Sequence, residues 1–391
     1  MKKLVSLSLF LLALTFNGLA QQYTQIVRGR VIERETQQPI PYVLVGVSMN
    51  GDVMGAVTND NGEYRVENVP IGRATVQFSS VGYESVTMHN LEVISGREML
   101  VNAELEESVV ALEGVEVRAT VSKERPLNTF ASASARTFSV EEAQRFAGAA
   151  YDVSRLAMNF AGVKSTDDTQ NEIVIRGNSP IGMIFRLDGI DIPNPNHFGD
   201  GSASGGILSM LNVNTLANSD FITGAFPAEY SNTLSGVFDL RMRNGNNQKH
   251  EFIAQMALMG LEFGAEGPIS KESGSSYLLN YRYATSGVLN AVVDLDMAGL
   301  PTYQDGAFKL NFPSSGGGST SIIGFGGTNR IDWLESTRDT TEEKNEMSEF
   351  LHYDVDEYVD NQSGVVGVSH IRPLGQSAYL RVCLLYTSDA A

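Results

Sequence analysis

The stretch Ile173–Gly206, which reads IVIRGNSPIGMIFRLDGIDIPNPNHFGDGSASGG, decides the fold of the chain around it. Its first apolar run, Ile173–Ile175, ends in Arg176-Gly177. Its second run, Ile184–Leu187, ends in Asp188-Gly189, and a glycine- and serine-rich segment follows. This order predicts a strand, a tight turn, a second strand and a long loop.

Length and composition limit the classes of protein to consider. At 391 residues, the chain is long enough for two or three domains. The formal net charge of −18 argues against a nucleic-acid-binding protein, because no basic stripe is present to neutralise phosphates. The 38 glycines and the short apolar runs favour β-structure with many turns. Cys383 is the single cysteine, so the chain cannot form an internal disulfide.

The N-terminus, Met1–Ala20, has the pattern of a secretory signal peptide. Lys2-Lys3 precede an apolar run at Leu4–Leu14, and Gly18-Leu-Ala20 provides small residues at the expected cleavage site. The alternative is a membrane anchor, but the run is short for a bilayer core of about 30 Å. No later stretch reaches about 18 apolar residues, so only a β-barrel could carry the rest of the chain through a membrane.

The segment 25–106 consists of short apolar runs that alternate with turn signals. Pro39-Ile-Pro41 and Asn59-Asp-Asn-Gly62 are two of these signals. Strands at such intervals predict a small β-sandwich. Asp60 and Glu63 beside Gly62 suggest a calcium loop as an alternative, but the spacing of an EF-hand is missing, which favours a hairpin turn.

The segment 136–245 mixes helix and strand patterns. Ser139-Val-Glu-Glu142 predicts a helix with a capping box, and a second short helix is predicted at Tyr151–Met158. Alternating runs at Ser209–Leu216, Ser219–Ile222 and Gly236–Met242 predict further strands.

From residue 246 to residue 382 the sequence alternates over long strands. In Tyr277–Ala284 the tyrosines lie on one face, and Asn280 and Arg282 lie on the other, as in an outer-membrane β-barrel. Short turns also alternate with long connections, as periplasmic turns and external loops do in such barrels. The turns lie at 270–276, 313–318 and 374–377, and the connections lie at 285–301 and 335–360. The acidic connection 335–360 is interpreted as a solvated loop, with attraction of cations as the alternative.

These features together resemble the TonB-dependent outer-membrane transporters, in which a plug domain lies inside a barrel of about 22 strands. The matching motifs are IRG at Ile175–Gly177, LDG at Leu187–Gly189, GAFPAEY at Gly224–Tyr230 and SGVFDLR at Ser235–Arg241. The N-terminal segment resembles the carboxypeptidase-regulatory-like domain, a noncatalytic sandwich. That likeness rests on Gly29-Arg-Val31, Pro39–Val43, Asn59–Tyr64 and Val81-Gly-Tyr83.

The fold class that follows is mostly β. The expected order is a signal peptide at 1–20, a transthyretin- or immunoglobulin-like sandwich at 25–106, a linker at 107–135, an α+β plug domain at 136–245, the first strands of an incomplete transmembrane antiparallel β-barrel at 246–382, and a tail at 383–391. About six or seven strands cannot enclose a plug, because barrel diameter grows with strand number. The chain is therefore expected to be the N-terminal part of a longer protein.

The tail is treated separately from the barrel. Leu384–Ala391 resembles translated adapter sequence, so residues 383–391 are expected to be non-native. The alternative is a genuine barrel strand that is interrupted by the end of the sequence.

Within the linker, Leu112–Arg118 resembles the TonB box. The box-like residues are Leu112, Glu113, Gly114, Val115, Glu116 and Val117. The two valines favour an extended segment that pairs edge-on with the sheet of a partner. The alternative is the last strand of the sandwich.

The resemblance also implies roles for the two turn motifs. In this family the arginine of the IRG motif helps to lock the plug to glutamates on the inner barrel wall, so Arg176 and Gly177 are expected to form a plug lock. A bidentate guanidinium–carboxylate pair would orient that lock. Asp188 and Gly189 are expected to be a plug motif. The alternative for Arg176 is an ordinary surface or plug-internal arginine.

The loop Pro193–Phe198 is expected to lie toward the substrate side. Asn194, Asn196 and His197 would then face the ligand. The chain has five histidines and no partner for His197 at ligand spacing, so His197 is interpreted as a loop histidine and no metal site is predicted.

The function implied by the resemblance is TonB-dependent active import of an iron chelate, a vitamin, an oligosaccharide or a peptide across the outer membrane. No Ser/His/Asp or Cys/His set and no phosphate loop is apparent, which predicts neither an enzyme nor a cofactor. The implied partners are a TonB-type energy-transducing protein at the periplasmic side, outer-membrane lipid and a surface-exposed substrate-binding lipoprotein. The alternatives are a surface receptor that binds without transport and a secreted β-rich protein with an accessory sandwich.

Overall fold

The structure is a computed structural model. It describes residues 24–34, 36–49, 51–107, 126–128, 130–131, 133–149, 152–165, 170–199, 204–257, 260–285, 302–314, 317–333, 356–375 and 378–390. The chain divides into two units. The first is Met1–Arg34 with Pro39–Val121, and the second is Glu35–Gln38 with Ser122–Ala391. The predicted signal peptide and the TonB-box-like segment lie outside the described residues.

The described chain is mostly β, which confirms the predicted fold class. No helix in the ranges above is long and apolar enough to cross a membrane.

The first unit is a β-sandwich. Its described strands are β1 (Thr24–Glu33), β2 (Leu44–Met49), β3 (Asp52–Val57), β4 (Glu63–Pro70), β5 (Gly72–Ser79), β6 (Val86–Val93), β7 (Met99–Leu100) and β8 (Ala103–Leu105). One sheet has the order β4-β1-β7, with β8 also paired to β1, and the other has the order β3-β2-β5-β6. Apolar and polar residues alternate along these strands, and this pattern favours a sandwich because every second residue of each strand faces the opposite sheet.

The sandwich core is formed by alternating apolar residues of both sheets. Val45 and Val47 on β2 are buried, as are Val76 and Phe78 on β5. The Phe78 ring packs edge-on against the ring of Tyr64 on β4, with centroids 5.5 Å apart. Each fully buried side chain of this size contributes about 1.5–3 kcal/mol, so these positions are the main source of the stability of the sandwich.

Polar groups inside the sandwich are paired. Glu98 accepts hydrogen bonds from Arg28 Nε at 2.7 Å and Arg65 Nη2 at 2.8 Å. The Tyr64 hydroxyl donates to the carbonyl of Val101 at 2.6 Å, and burial raises the pKa of Tyr64 well above its usual range. Gly29 leaves room for that carbonyl, since a Cβ there would lie 1.8 Å from Val101 O.

The central domain, residues 126–250, follows in the second unit. Its described strands are β9 (Ala135–Phe138), β10 (Val163–Ser165), β11 (Ile173–Ile175), β12 (Met183–Leu187), β13 (Ile190–Ile192), β14 (Asn196–His197), β15 (Leu208–Ser209), β16 (Ser219–Ile222) and β17 (Gly236–Leu240). The helices are α1 (Val140–Arg145) and α2 (Val153–Ala157), with 3-10 turns at Ala147–Ala149, Pro180–Gly182 and Val213–Thr215.

The predicted capping box of α1 is confirmed. Ser139 Oγ accepts from the amide of Glu142 at 3.2 Å, and the Glu142 carboxylate accepts from the amide of Ser139 at 3.1 Å. The α2 helix begins later than predicted, because Asp152 caps it by accepting from the amide of Ser154 at 2.8 Å.

The main sheet of the central domain has the order β13-β12-β17-β16-β9. Phe185 and Phe238 stack with centroids 5.1 Å apart, and Phe221 lies 4.5 Å from Phe238. These rings form the core of the domain because neighbouring strands bring them to the same face of the sheet.

Strand β11 pairs with β10, so the runs at 173–175 and 184–187, both predicted as strands, belong to different sheets. One sequence-based prediction for the central domain was wrong: Ser209–Leu216 is mostly not a strand. Asn212 accepts from the amide of Asn214 at 2.8 Å and caps the 3-10 turn there, an Asx interaction that competes with strand pairing.

A seven-stranded antiparallel sheet completes the described part of the second unit. Its strands are β18 (Glu251–Ala257), β19 (Gly260–Ser270), β20 (Ser275–Thr285), β21 (Thr302–Pro313), β22 (Ser319–Trp333), β23 (Glu357–Pro373) and β24 (Tyr379–Ala390), and each pairs with the next. Strand β23 extends into the predicted acidic connection, because Tyr358 pairs with Asp332 and Asp360 with Arg330. Strand β24 continues through residues 383–390.

The two faces of the seven-stranded sheet differ in polarity. Glu262, Arg282 and Asp305 are opposite one another in register and share the inner face, which contacts the central domain. Phe263 and Tyr281 pair on the outer face and are 51% and 43% exposed. The inner face thus carries charged and polar side chains among buried apolar ones such as Ile323 and Phe325. The outer face carries exposed aromatic side chains, as the alternation of the sequence predicted.

Candidate functional site

The IRG and LDG motifs are two tight turns with the same backbone geometry. Arg176 and Gly177 have φ values of 50° and 81°, and Asp188 and Gly189 have 51° and 85°. Positive φ at both central residues is the signature of a type I′ turn, which fits the twist of a β-hairpin. The Asp188-Gly189 turn joins β12 to β13, and the Arg176-Gly177 turn is closed by the amide of Asn178 donating to the carbonyl of Ile175 at 2.8 Å.

The LDG turn contacts the inner face of the seven-stranded sheet. The Asp188 carboxylate lies 2.9 Å from Lys309 Nζ on β21. Met242 joins the same cluster, because its amide donates to Asp188 Oδ1 at 3.1 Å and its carbonyl accepts from Lys309 Nζ at 2.7 Å. Both charged side chains are largely buried, so the pair links the central domain to β21 in a region of low solvent access.

A second charged contact lies on β19. Arg243 Nη1 of the central domain is 2.7 Å from Glu266 Oε2, and the same carboxylate oxygen accepts from the amide of Asn246 at 2.9 Å. Glu262, on the same face of β19, accepts from Asn214 Nδ2 at 2.9 Å and from Asn280 Nδ2 at 2.8 Å. Glu262 and Glu266 of β19 therefore bind polar side chains of the central domain.

A third contact is centred on His197. His197 Nε2 lies 2.9 Å from Asp305 Oδ2, and Asn329 Nδ2 donates to His197 Nδ1 at 3.3 Å. Arg282 holds Asp305 by a bidentate pair and donates to the carbonyl of Ser209 at 2.6 Å. Burial lowers the pKa of His197 from its ordinary value, against the opposing effect of Asp305, while the Arg282 cation lowers it further. His197 is therefore neutral near pH 7.

Arg176 contacts a hydroxyl group in this structure. Its Nη2 donates to Ser134 Oγ at 3.1 Å, and the residue is exposed. Among the residues that the structure describes, Glu262 and Glu266 bind Asn214 and Arg243 rather than Arg176. The predicted lock between Arg176 and a wall glutamate is thus not formed by these two carboxylates.

The three residues expected to face a ligand have partners within the protein: Asn194 and Asn196 bond within their own loop, and His197 contacts the seven-stranded sheet. Asn196 and His197 are 4% and 0% exposed, which corrects the expectation of an open loop surface. Asn196 Nδ2 donates to Asn194 Oδ1 at 2.8 Å and to the carbonyl of Ser204 at 3.0 Å, and Asn194 Nδ2 donates to the carbonyl of Gly205 at 2.8 Å. These bonds hold the loop in shape, because each asparagine amide supplies donors and an acceptor that the turn needs.

Metal binding has no support in the part of the chain that is described. No group of three or more His, Cys, Asp or Glu side chains there is arranged to hold a metal ion.

Sequence reasoning missed Lys309, Arg243 and Asp305 as contact residues. For Asp305 and Lys309 the available signal was a charged residue at an inward-facing position of β21, on either side of Ala307. Such a residue needs a partner across the interface when it is buried, but the partner could not be read from one sequence.

Comparisons with known proteins give three results. The family model of the carboxypeptidase regulatory-like domain matches residues 26–106. No curated protein matches the sequence. Similar solved structures include a mutant of the ferric enterobactin receptor from Pseudomonas aeruginosa, at 15% identity and a TM-score of 0.44, with 66% of this chain and 41% of that chain covered.

Two further solved structures are similar. The siderophore receptor PirA from Acinetobacter baumannii has 13% identity and a TM-score of 0.43, covering 65% of this chain and 39% of that chain. The outer membrane transporter YddB from Escherichia coli has 15% identity and a TM-score of 0.45, covering 65% of this chain and 38% of that chain. The chain thus spans about two fifths of the length of these three proteins.

The family match and the fold agree over the same residues. Strands β1 to β8 run from Thr24 to Leu105 and form two sheets around one apolar core. Residues 26–106 are a carboxypeptidase regulatory-like domain.

Proposed function

We propose that the chain belongs to a TonB-dependent outer-membrane transporter, with the central domain as its plug and the seven-stranded sheet as part of its barrel wall. The observation that carries this proposal is the contact of the Asp188-Gly189 turn with Lys309 on the inner face of the sheet. An α+β domain bound in part through charged side chains to one face of a long antiparallel sheet, whose other face is aromatic, is what a plugged membrane barrel requires.

The chemistry of the interface supports a plug that moves. Three of its contacts are polar: Asp188 with Lys309, Arg243 with Glu266, and His197 with Asp305. Polar contacts exchange for bonds to water when the surfaces separate, so the net free energy of each is small compared with its strength in a dry site. A pull on the plug can therefore open a wet path without a large energetic barrier from these groups.

We also propose a lock function for Arg176. Its φ of 50° lies in the left-handed region, where a residue with a Cβ is strained by about 1–2 kcal/mol. Asparagine, aspartate or glycine would suit this turn position better. An arginine at this position, with an exposed guanidinium, fits a bidentate contact with a carboxylate of the barrel wall.

The partner that supplies energy would be a TonB-type protein at the periplasmic side, bound to the box-like residues 112–117. An extended segment binds by adding a strand to the sheet of its partner. The substrate class remains an iron chelate, a vitamin, an oligosaccharide or a peptide, and the reaction is transport without covalent change.

The proposal is tested by deleting residues 112–118 from the protein expressed in its native outer membrane. Cells are assayed for surface binding and for uptake of four probes: a ferric siderophore, cobalamin, a maltooligosaccharide and a short peptide. We expect uptake of one probe to be lost while its surface binding remains. A matched deletion of residues 119–125 should retain uptake.

Uptake that survives deletion of 112–118 would contradict TonB-dependent transport. Surface binding without uptake in the intact protein would support the alternative of a receptor that does not transport. Recovery of the intact protein in the soluble fraction would support a secreted protein.

A further inference from the structure

The first described residues of the central domain, Pro126–Asn128, are held by one buried carboxylate. Asp220 Oδ1 accepts from the backbone amide of Leu127 at 2.9 Å, and Asp220 Oδ2 accepts from the backbone amide of Asn128 at 2.7 Å. Asp220 is 1% exposed. Hydrogen bonds to an ionised acceptor are about twice as strong as neutral ones. Two successive peptide groups are therefore fixed by one side chain.

The side chain of Asn128 provides a second attachment. Its Nδ2 donates to Glu229 Oε1 at 2.6 Å and to the hydroxyl oxygen of Tyr230 at 2.8 Å. The Tyr230 hydroxyl in turn donates to Asp239 Oδ2 at 2.9 Å. Glu229 and Tyr230 end the GAFPAEY motif, so this motif holds the chain at the point where residues 126–128 join the domain.

Asp220 lies where a force on residues 126–128 can be transmitted to the main sheet. Its strand, β16, pairs with β17 on one side and with β9 on the other. In register, Asp220 lies opposite Asp239 on β17 and Thr137 on β9, and Thr137 Oγ1 donates to Asp220 Oδ1 at 2.5 Å. A pull on the chain before Pro126 therefore acts through Asp220 on three adjacent strands.

We propose that Asp220 is the anchor through which tension on the chain before Pro126 reaches the main sheet of the central domain. The source of that tension, a TonB-type partner, rests on the proposed function. The anchor itself rests only on the contacts of Leu127 and Asn128. Asp220 is a positioning residue, since it acts by holding these two amides.

The first test is amide hydrogen exchange on the full chain in detergent. Asp220→Asn keeps the size of the side chain but replaces one acceptor oxygen by a donor, so one amide loses its acceptor. We expect exchange at Leu127 and Asn128 to become about tenfold faster, because a hydrogen bond to a charged group contributes on that scale. Amides of β17 should be unchanged.

The matched control is Asp191→Asn. Asp191 lies on β13 of the same sheet, pairs with Arg186 and does not touch residues 126–128 in the described contacts. It should leave exchange at Leu127 and Asn128 unchanged. Equal acceleration in both variants, or no acceleration in Asp220→Asn, would overturn the anchor.

The second test measures force directly. A Glu113→Cys substitution and Cys383, the single cysteine of the chain, provide two thiols for handles, and the full chain is pulled between them. We expect the first rupture peak to move to lower force in Asp220→Asn and to stay in place in Asp191→Asn. An unchanged first peak in Asp220→Asn would overturn the proposal.

A further variant covers the case in which Asp220→Asn does not fold. Tyr230→Phe removes the hydroxyl group between Asn128 and Asp239 but keeps the ring under the guanidinium of Arg186. It should lower the first rupture force by a smaller amount, and an unchanged force would count against the anchor. If the force falls but deletion of 112–118 leaves uptake intact, the anchor stands and the proposed function fails.

Discussion

Asp188 and Lys309 are 121 positions apart in the sequence, and their charged groups lie 2.9 Å apart, between a tight turn of the central domain and a strand of the seven-stranded sheet. The turn geometry explains why an aspartate stands there. Asp188 has φ of 51°, a conformation that aspartate tolerates better than most residues, and its side chain then points at β21. One residue thus makes both the turn and the contact.

The Lys309→Met substitution should destabilise the central domain strongly. It leaves the carboxylate of Asp188 buried without its cation, a change that costs about 3–5 kcal/mol when one partner of a buried pair is removed. Chemical denaturation in detergent measures this loss. The double variant Asp188→Asn with Lys309→Met should recover part of it, because asparagine keeps the turn and removes the charge. A double variant whose loss equals the sum of the two single losses would show that the residues are not coupled.

The pH dependence of stability should carry a contribution from His197. Its pKa is lowered in the folded protein, so the unfolded state binds the proton first as the pH falls through about 6.5. The contribution of the neutral His197 side chain to the unfolding free energy is therefore fully present above about pH 6.5 and is lost on acidification. We expect the difference in unfolding free energy between pH 7.5 and pH 5.5 to be smaller in His197→Gln than in the unsubstituted protein. A larger difference in His197→Gln would mean that folding raises the pKa of His197, which would contradict the lowered pKa.

The Arg176→Asn substitution should separate the role of the turn from that of the guanidinium. Asparagine adopts the left-handed conformation readily, so the unfolding free energy should change by less than about 1 kcal/mol. Uptake should fall if the guanidinium is the lock. Gly177→Ala is the matched control for the turn: its Cβ meets nothing within 4 Å, but φ of 81° strains it. Gly177→Ala should lower the unfolding free energy. If Gly177→Ala and Arg176→Asn had equal effects on the unfolding free energy and on uptake, a separate role for the Arg176 guanidinium would be contradicted.

Glu98→Gln should destabilise the carboxypeptidase regulatory-like domain. The substitution removes the negative charge that pairs with Arg28 and Arg65 inside the sandwich. We expect a loss of about 3 kcal/mol, because a buried cation is left without compensation. Faster hydrogen exchange in β1 of the full chain would report it, while β12 should be unaffected. Exchange in β1 that matches the unsubstituted protein would show that the pair does not contribute.

Short-range sequence patterns predicted much of the fold. The capping box of Ser139 and Glu142 was predicted from the sequence and is confirmed, and β22 begins at Ser319, directly after the turn predicted at 313–318. Arg176-Gly177 was predicted to be a tight turn, and it is one, because few residues accept positive φ and the pair supplies a glycine at the second position. Asp188-Gly189 was expected to lead into a long loop, but it turns directly into β13. Such features depend on residues a few positions apart.

The contacts of the candidate site could not be predicted in the same way. His197 and Asp305 are 108 positions apart, and their approach depends on the register of β21 and on how the central domain packs against it. His197 is buried by that packing. The loop sequence carries no signal of the packing, and the loop was therefore expected to be exposed. Arg243 and Glu266 were missed for the same reason, since neither residue has a local signal for its partner.

The most direct measurement of the central claim is binding of the purified protein to the periplasmic domain of a TonB-type protein. Titration calorimetry compares the full chain with the variants that lack residues 112–118 and 119–125. TonB-dependent transport requires binding by the full chain, loss of binding when 112–118 are deleted, and retained binding when 119–125 are deleted. Binding that is unchanged by deletion of 112–118, or no binding by the full chain, would contradict it.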